Sequence, residues 1–323
     1  MKHVSILALH DATLNSIDSS YQIFSRVNDF MKYQQKPPFY DVQIVGLSNT
    51  ASLGNGLYSI HVHQTIDTVG QTDVIVIPLL CGDFARALWE NRKYHDWLMA
   101  QYQKNAEIVC LCVGSFFLAS TGLLDNRKCA VHWAAKDEFS TMFPKVKIID
   151  DMIITDENGI YTSGGGYSYL TLLLYVLEKH LGRDIAILAS KMFEIDMSRK
   201  NQYPFTIFMG QKRHGDEVVL AAQHYIEQTP AQAVTTDGLC SRFGMGRRTF
   251  ERRFRKCTGN SVTEYVQRVK VELAKNLLES SGKTVNEIIY ETGYNDIDAF
   301  RKVFKRFTDL SPTDYRRKYM IKV

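Results

Sequence analysis

The 323 residues carry 39 Lys and Arg against 35 Asp and Glu, a net charge of +4, with 45% hydrophobic and 23% charged residues. That length suits two domains, and the composition is that of a globular chain with a packed core, which excludes a disordered or fibrous protein. The six cysteines, at 81, 110, 112, 129, 240 and 257, form no CxxC pair and no His/Cys cluster at zinc spacing, which argues against disulfides and structural metal and for a reducing cytoplasm.

HVSILALHDAT lacks the basic region of a signal peptide and breaks at His10 and Asp11. No apolar run reaches the length of a membrane span. Val4 to Leu9 reads as a strand, followed by a helical pattern through Ile17, Tyr21, Ile23 and Phe24. Tyr40 to Leu47 is a second strand, and Ile60 with His61 and His63 a weaker third. The two histidines lack a third ligand and read as surface residues. VIVIP (Val74 to Pro78) is a buried strand that leads into helix from Asp83 to Gln103. Ile108 to Cys112 is another buried strand, with a helix from Ser115 to Ser120. Ile148 to Thr155 and Gly159 to Thr162 are short strands. Gly164, Gly165 and Gly166 make a turn, or an anion cradle at a helix N-terminus, before helices to Leu181 and from Asp184 to about Asp196. Strands alternating with helices predict a parallel sheet covered on both faces, a flavodoxin-like α/β sandwich over residues 1–200.

CLCVGSFFLASTGLLDNRKCAVHW, from Cys110 to Trp133, carries the chemistry of this half. Strand, Cys112, Val113, Gly114, then helix is the layout of a nucleophile elbow, where a side chain sits on a tight turn at the carboxyl end of a strand. A helix N-terminus beside a thiol stabilises its thiolate. With DNRKCAVHW and NGIYTSGGGYSYLTLLLYVLEKHLG, residues 3 to 198 resemble the PfpI-like branch of the class I glutamine-amidotransferase-like fold. The resemblance places the nucleophile position on Cys112 and the characteristic histidine on His132. Asp11 and Asp18 are candidates for an orienting acid. Where relatives commonly carry two glycines after the proline of the fourth strand, this chain reads Pro78, Leu79, Leu80, which leaves a backbone oxyanion site without its usual support. The residues leave three readings open: a ligand-sensing or redox thiol in a pocket of Cys112, Val113, Gly114, His132 and Asp18, a packed structural cysteine, and a cysteine-dependent hydrolase or amidase.

Residues 201–215, with Pro204, Gly210 and Gly215, read as a linker. Beyond it the composition turns basic: residues 211–323 hold 21 Lys and Arg against 14 Asp and Glu, a balance of +7, and the rest of the chain 18 against 21, or −3. SRFGMGRRTFERRFRK, from Ser241 to Lys256, ends one short helix at Gly244 and begins another at Arg247. Phe250 and Phe254 point inward, while Arg248, Glu251 and Arg252 share the opposite face, with Arg247 and Arg253 on the flanks. The plan recurs in TVNEIIYETGYNDIDAFRKVFKRFTDLSP from Thr284. There Gly293 makes the turn, Phe300, Phe304 and Phe307 face inward, and Asp298, Arg301, Lys302 and Lys305 face out. Helix, glycine turn and basic helix, twice, is a helix-turn-helix pair. Val262 to Glu279, free of Pro and Gly, predicts a stiff connecting helix of about 18 residues, roughly 27 Å long.

Residues 216–323 resemble the DNA-binding domain of AraC/XylS-family transcription regulators, on RRTFERRFRKCTGNSVTEYV, RVKVELAKNLL and ETGYNDIDAFRKVFKRFTDLSPTDYRR. Gly246 stands where that family usually has Ser or Thr, a weaker but acceptable N-cap. The joint resemblance implies an α/β sensor domain and an all-α DNA-binding domain. It also implies sequence-specific binding of double-stranded promoter or operator DNA, activation of transcription with RNA polymerase as partner, a small-molecule effector and a homodimer. No enzymatic activity, cofactor, metal or membrane association is expected. Arg248, Glu251 and Arg252 with Asp298, Arg301 and Lys302 are expected to read bases, and Arg247, Arg253 and Lys305 to meet phosphates.

Overall fold

A computed structural model of the chain describes residues 1–54, 56–150 and 152–320. The chain divides after Gln202 into two compact units.

In the first unit the strands are β1 (Lys2–Leu7), β2 (Tyr40–Gly46), β3 (Thr50–Leu53), β4 (Tyr58–His61), β5 (Gln64–Thr65), β6 (Val74–Ile77), β7 (Glu107–Cys110), β8 (Lys128–Cys129), β9 (Lys147–Ile148), β10 (Ile154–Glu157) and β11 (Ile160–Ser163). Seven of them form one sheet in the order β10-β11-β7-β6-β1-β2-β5. Every pairing is parallel except β10 with β11. All four residues of β6 are buried, which is why VIVI reads as a continuous apolar run rather than an alternation. The helices are α1 (Leu14–Tyr33), α2 (Phe84–Asn91), α3 (His95–Gln103), α4 (Ser115–Ser120), α5 (Lys136–Met142), α6 (Tyr169–Leu181) and α7 (Arg183–Met192).

Two sequence expectations change here. The segment through Ile60 splits: β4 pairs antiparallel with β3 as a separate hairpin, and β5 adds to the edge of the main sheet. The expected strand over Ile148 to Thr155 divides into β9 and β10 and crosses residue 151, which lies outside the described residues. His63 is exposed, as the sequence reading expected; its Nδ1 accepts from the Ile44 N–H at 3.0 Å, and its ring stacks on Tyr21 at 5.8 Å between centroids.

At the start of β7, the Glu107 carboxylate accepts from Lys2 Nζ at 3.0 Å, Tyr161 OH at 2.8 Å and His180 Nε2 at 3.0 Å. Tyr40 OH lies 2.7 Å from the other ring nitrogen of His180. Burial alone would raise the Glu107 pKa, but the bonds from His180, Lys2 and Tyr161 outweigh it and hold the carboxyl at about 2. This network ties β1, β2, β7, β11 and α6 together.

The second unit is helical: α8 (Glu217–Gln228), α9 (Thr236–Arg242), α10 (Arg247–Thr258), α11 (Val262–Ser280), α12 (Val285–Glu291), α13 (Ile297–Thr308) and α14 (Pro312–Tyr319). Side-chain caps explain most of the boundaries. Asp216, Thr235, Ser261, Asp296 and Ser311 each accept a backbone N–H of the helix that they start, and Thr284 forms a capping box with Glu287. Gly246 starts α10 without a side-chain cap.

The apolar residues gather in two separate cores. Phe250, Phe254, Val262, Tyr265, Val266 and Val269 belong to the first, with Val219, Ile226 and Leu239. Val271, Ala274 and Leu278 belong to the second, with Ile288, Ile289, Phe300, Phe304 and Tyr315. The duplication extends to the helix exits. Thr258 Oγ1 donates to the Phe254 carbonyl at 2.8 Å, and Thr308 Oγ1 to the Phe304 carbonyl at the same distance.

Candidate nucleic-acid interface and ligand crevice

Helices α10 and α13 are amphipathic to the same design. Phe250, Phe254 and Thr258 are buried in one, and Phe300, Phe304 and Thr308 in the other. The tight turns before them rest on Gly244 at φ +61 and Gly293 at φ +76. Each motif thereby presents one basic helix face outward. Arg248, Glu251, Arg252, Arg255 and Lys256 are exposed on α10, and Asp298, Arg301, Lys302 and Lys305 on α13.

Their pairing separates them further. Arg248, Arg252, Arg255, Lys256, Lys302 and Lys305 have no ion-pair partner among the described residues, so their charges face solvent. Arg247 donates through Nη1 to both oxygens of Asp237, at 3.1 and 3.2 Å, and through Nε to Glu251 at 3.1 Å. Arg301 Nη1 lies 3.5 Å from Asp298 Oδ1, an exposed pair that water screens.

Arg253 departs from the sequence expectation. Its Nε and Nη2 bond the two carboxylate oxygens of Asp216, each at 2.7 Å, so it joins α10 to the start of α8 rather than facing outward for a phosphate. Arg255, which the sequence reading put on the flank with Lys256, lies seven residues after Arg248 and therefore on its face. Heptad spacing was the signal that could have found it.

In the first unit the elbow is present, but its thiol is enclosed. Cys112 has φ +50, a left-handed conformation rare outside glycine. Its N–H donates to Ser163 Oγ at 3.1 Å. Gly114 must be glycine, because a Cβ there would run into the Pro78 carbonyl. Only 1% of Cys112 is exposed. Burial lifts its thiol to about 12, against a smaller opposing effect of the Val113 backbone, and so disfavours the expected thiolate.

His132 does not join it. Its Nδ1 accepts from the Ala134 N–H at 3.1 Å, capping the turn Trp133–Ala135, which puts any ring proton on Nε2. Partial burial lowers its pKa. No hydrogen bond links Cys112, His132 and Asp18 among the described residues, and Asp18 is exposed on α1. The pocket expected from Cys112, Val113, Gly114, His132 and Asp18 is therefore not a connected acid–base site. The triple glycine is a turn that admits a side chain: Gln202 packs over Gly164 and Gly165, accepting from the Trp133 N–H at 3.2 Å and donating to the Val131 carbonyl at 2.9 Å.

An open cavity of about 520 Å³ lies beyond the carboxyl end of β1, lined by His10, Asp11, Ser52, Gly56 and Arg86. Asp11 is 4% exposed and sits at φ +61, with its Oδ2 3.2 Å from His10 Nδ1. The buried Asn91 clamps this loop, accepting from the His10 N–H at 2.8 Å and donating to the His10 carbonyl at 3.0 Å. The sequence offered Asp11 as a candidate orienting acid for Cys112 and His10 only as a break in an apolar run. Their strained turn has no pattern in the sequence.

Comparison with known proteins agrees with this division. Residues 35–179 match the DJ-1/PfpI family, and residues 239–318 match a helix-turn-helix domain. The chain is similar to the HTH-type transcriptional regulator GbdR of Pseudomonas aeruginosa, at 24% identity over 78% of this chain and 68% of that one. It is 27% identical to the HTH-type transcriptional regulator GlxA of Rhizobium meliloti, over 64% of this chain and 63% of that one. A Vibrio parahaemolyticus protein described as a transcriptional regulator superposes with a TM-score of 0.53 at 23% identity, over 59% of this chain and 98% of that one. An AraC family transcriptional regulator from Pseudomonas putida gives 0.50 at 14% identity, over 60% of this chain and 100% of that one. At such identities these structures establish the fold.

The fold and the two basic recognition helices define a DNA-binding transcriptional regulator with an α/β domain ahead of its helix-turn-helix domain. The chain is an AraC-type helix-turn-helix regulator that carries a DJ-1/PfpI domain.

Proposed function

We propose that the chain activates transcription by seating α10 and α13 in double-stranded promoter DNA as a homodimer, under control of a small-molecule effector bound by the DJ-1/PfpI domain. The observation that carries the DNA-reading part is the set of exposed, unpaired cations on matched helix faces. Arg248 and Arg252 on α10 and Lys302 on α13 would meet base edges, with Glu251, Asp298 and Arg301 beside them. Lys305, with Arg247 partly held by Asp237, would meet phosphates. The effector would enter the cavity at His10, Asp11 and Arg86, at the carboxyl edge of a parallel sheet where ligands of such folds commonly bind. Contact with RNA polymerase and cytoplasmic residence follow from the role of activator.

A cysteine hydrolase is the second reading, from the elbow at Cys112. Against it stand the enclosed thiol and the imidazole engaged by Ala134. Gel shifts with DNA neighbouring the chain's own gene, run beside turnover assays on amides and aldehydes, separate the two. Turnover abolished by Cys112→Ser, without specific DNA retention, would reverse the assignment. A thermal-shift ligand screen on the full chain tests the effector, since a ligand that binds only the folded protein raises its melting temperature. Light scattering at tens of micromolar tests the dimer.

A further inference from the structure

Residues 201–215 read as a linker in sequence, yet from Pro204 to Asp216 several polar groups and rings are held by the helical unit. The Pro204 carbonyl accepts from Tyr319 OH at 2.7 Å, and the Phe205 ring meets Tyr319 edge-on with centroids 6.4 Å apart. The Thr206 carbonyl accepts from Lys275 Nζ, and Lys275, only 4% exposed, also bonds Glu272 at 2.8 Å. These contacts belong to the half of the unit built around α13. The next residues belong to the other half. Phe208 packs on Tyr265 at 4.9 Å between centroids. Gly210, at φ +70, lies so close to Tyr265 OH that no side chain fits. The Gln211 carbonyl accepts from Gln223 at 2.8 Å, its side chain accepts from Asn260 at 3.1 Å, and Asp216 takes Arg253.

We propose that this segment is a positioning strap, which fixes the recognition helices α10 and α13 relative to one another. The two cores are otherwise joined through α11 and by the close approach of the Ala231 carbonyl to Gly293. A further connection, anchored on Lys275 and Tyr319 at one end and on Tyr265, Gln223 and Arg253 at the other, restricts how the halves turn about α11. Two recognition helices held at a fixed separation bind a matching duplex as one unit. Two that turn independently lose the effective concentration that their connection supplies. The strap therefore sets which half-site spacing the regulator accepts.

The test uses the full chain and a duplex selected by it from a randomised library, beside a shortened duplex that keeps only the half read by α10. Two variants loosen the strap by different means. Lys275→Met removes the anchor while keeping an apolar stem. Insertion of Gly-Gly after Ile207, whose side chain is exposed, slackens the strap and leaves every anchoring residue in place. Each is expected to weaken binding to the full duplex by about tenfold or more, to leave the shortened duplex bound as by the wild type, and to broaden the spacings recovered on reselection. Equal weakening on both duplexes would mean general damage to the fold, and unchanged binding on both would mean no positioning role. Either result overturns the proposal. If Lys275→Met does not fold, as seen by circular dichroism, the insertion variant decides alone.

Discussion

Arg253 and Asp216 form a two-point clasp, with Nε to Oδ2 and Nη2 to Oδ1 both at 2.7 Å, between the middle of α10 and the first turn of α8. Asp216 Oδ1 also caps α8 through the Val219 N–H at 3.1 Å. One carboxylate thus serves a helix terminus and an arginine at once, and the arginine first, then the cap, hold its pKa below the ordinary value.

Asp216→Ala should destabilise the helical unit by about 2 kcal/mol, from a lost cap and lost charge-assisted bonds. Because the folded pKa is depressed, this stabilisation is complete above the unfolded carboxylate value of about 3.9 and disappears as pH falls through the folded value. Urea unfolding followed by far-ultraviolet circular dichroism measures it. Tryptophan fluorescence gives the control, since the three tryptophans, Trp89, Trp97 and Trp133, all belong to the first unit. An unchanged helical transition at neutral pH would show the clasp to be dispensable.

Arg252→Ala should weaken binding by about 1–3 kcal/mol and relax preference at particular base pairs. Lys305→Ala should weaken all sequences alike and make the salt dependence shallower by about one unit. Arg253→Met should leave the salt slope unchanged, because its guanidinium is already committed to Asp216. Competition binding on a randomised operator library at several salt concentrations distinguishes the three, and a uniform loss for Arg252→Ala would place the reading face elsewhere.

How much of this was legible beforehand depends on sequence distance. Phe250 with Phe254 and Phe300 with Phe304 report their own burial through spacing, so both helix-turn-helix motifs, and the apolar runs of β6 and β7, could be read directly. Arg253 and Asp216 are 37 residues apart, and no local pattern says that one answers the other. Cys112 shows its elbow in the glycine two residues on, but its enclosure comes from Ser163 and the strands around it. Pro204 and Gly210 have the composition of a loop. They serve in a segment whose order comes from Lys275, Tyr319 and Tyr265, far away in the chain.

Iodoacetamide should modify Cys112 more slowly than the half-buried Cys81 and Cys257 across the neutral range. Burial raises all three thiols, and Cys112 reaches about 12. Mass spectrometry of each cysteine peptide against time gives the rates. Cys112→Ser should leave DNA binding intact, and preferential labelling of Cys112 would restore the sensing-thiol reading.

Acid should unfold the first unit through Glu107. Its folded pKa of about 2 lies below the unfolded value, so the carboxylate stabilises the fold above about pH 4.3 and loses that contribution as pH falls towards 2. Glu107→Gln should lower stability at neutral pH by on the order of 2–3 kcal/mol and flatten the acid limb of the fluorescence-detected profile. An acid midpoint identical to wild type would assign the transition to other carboxylates.

The helix α11 has one further consequence. Its 19 residues give Val262 to Val269 to one core and Val271 to Leu278 to the other, and between the two sets Lys270 reaches the carbonyl of Thr292 at 2.8 Å. Neither core can be completed while this helix is frayed, so the halves are bound into a single cooperative transition although their apolar cores are separate. Amide protons along α11 should then exchange only when the whole DNA-binding unit opens, and those of α9 and α12, at seven residues each, far sooner.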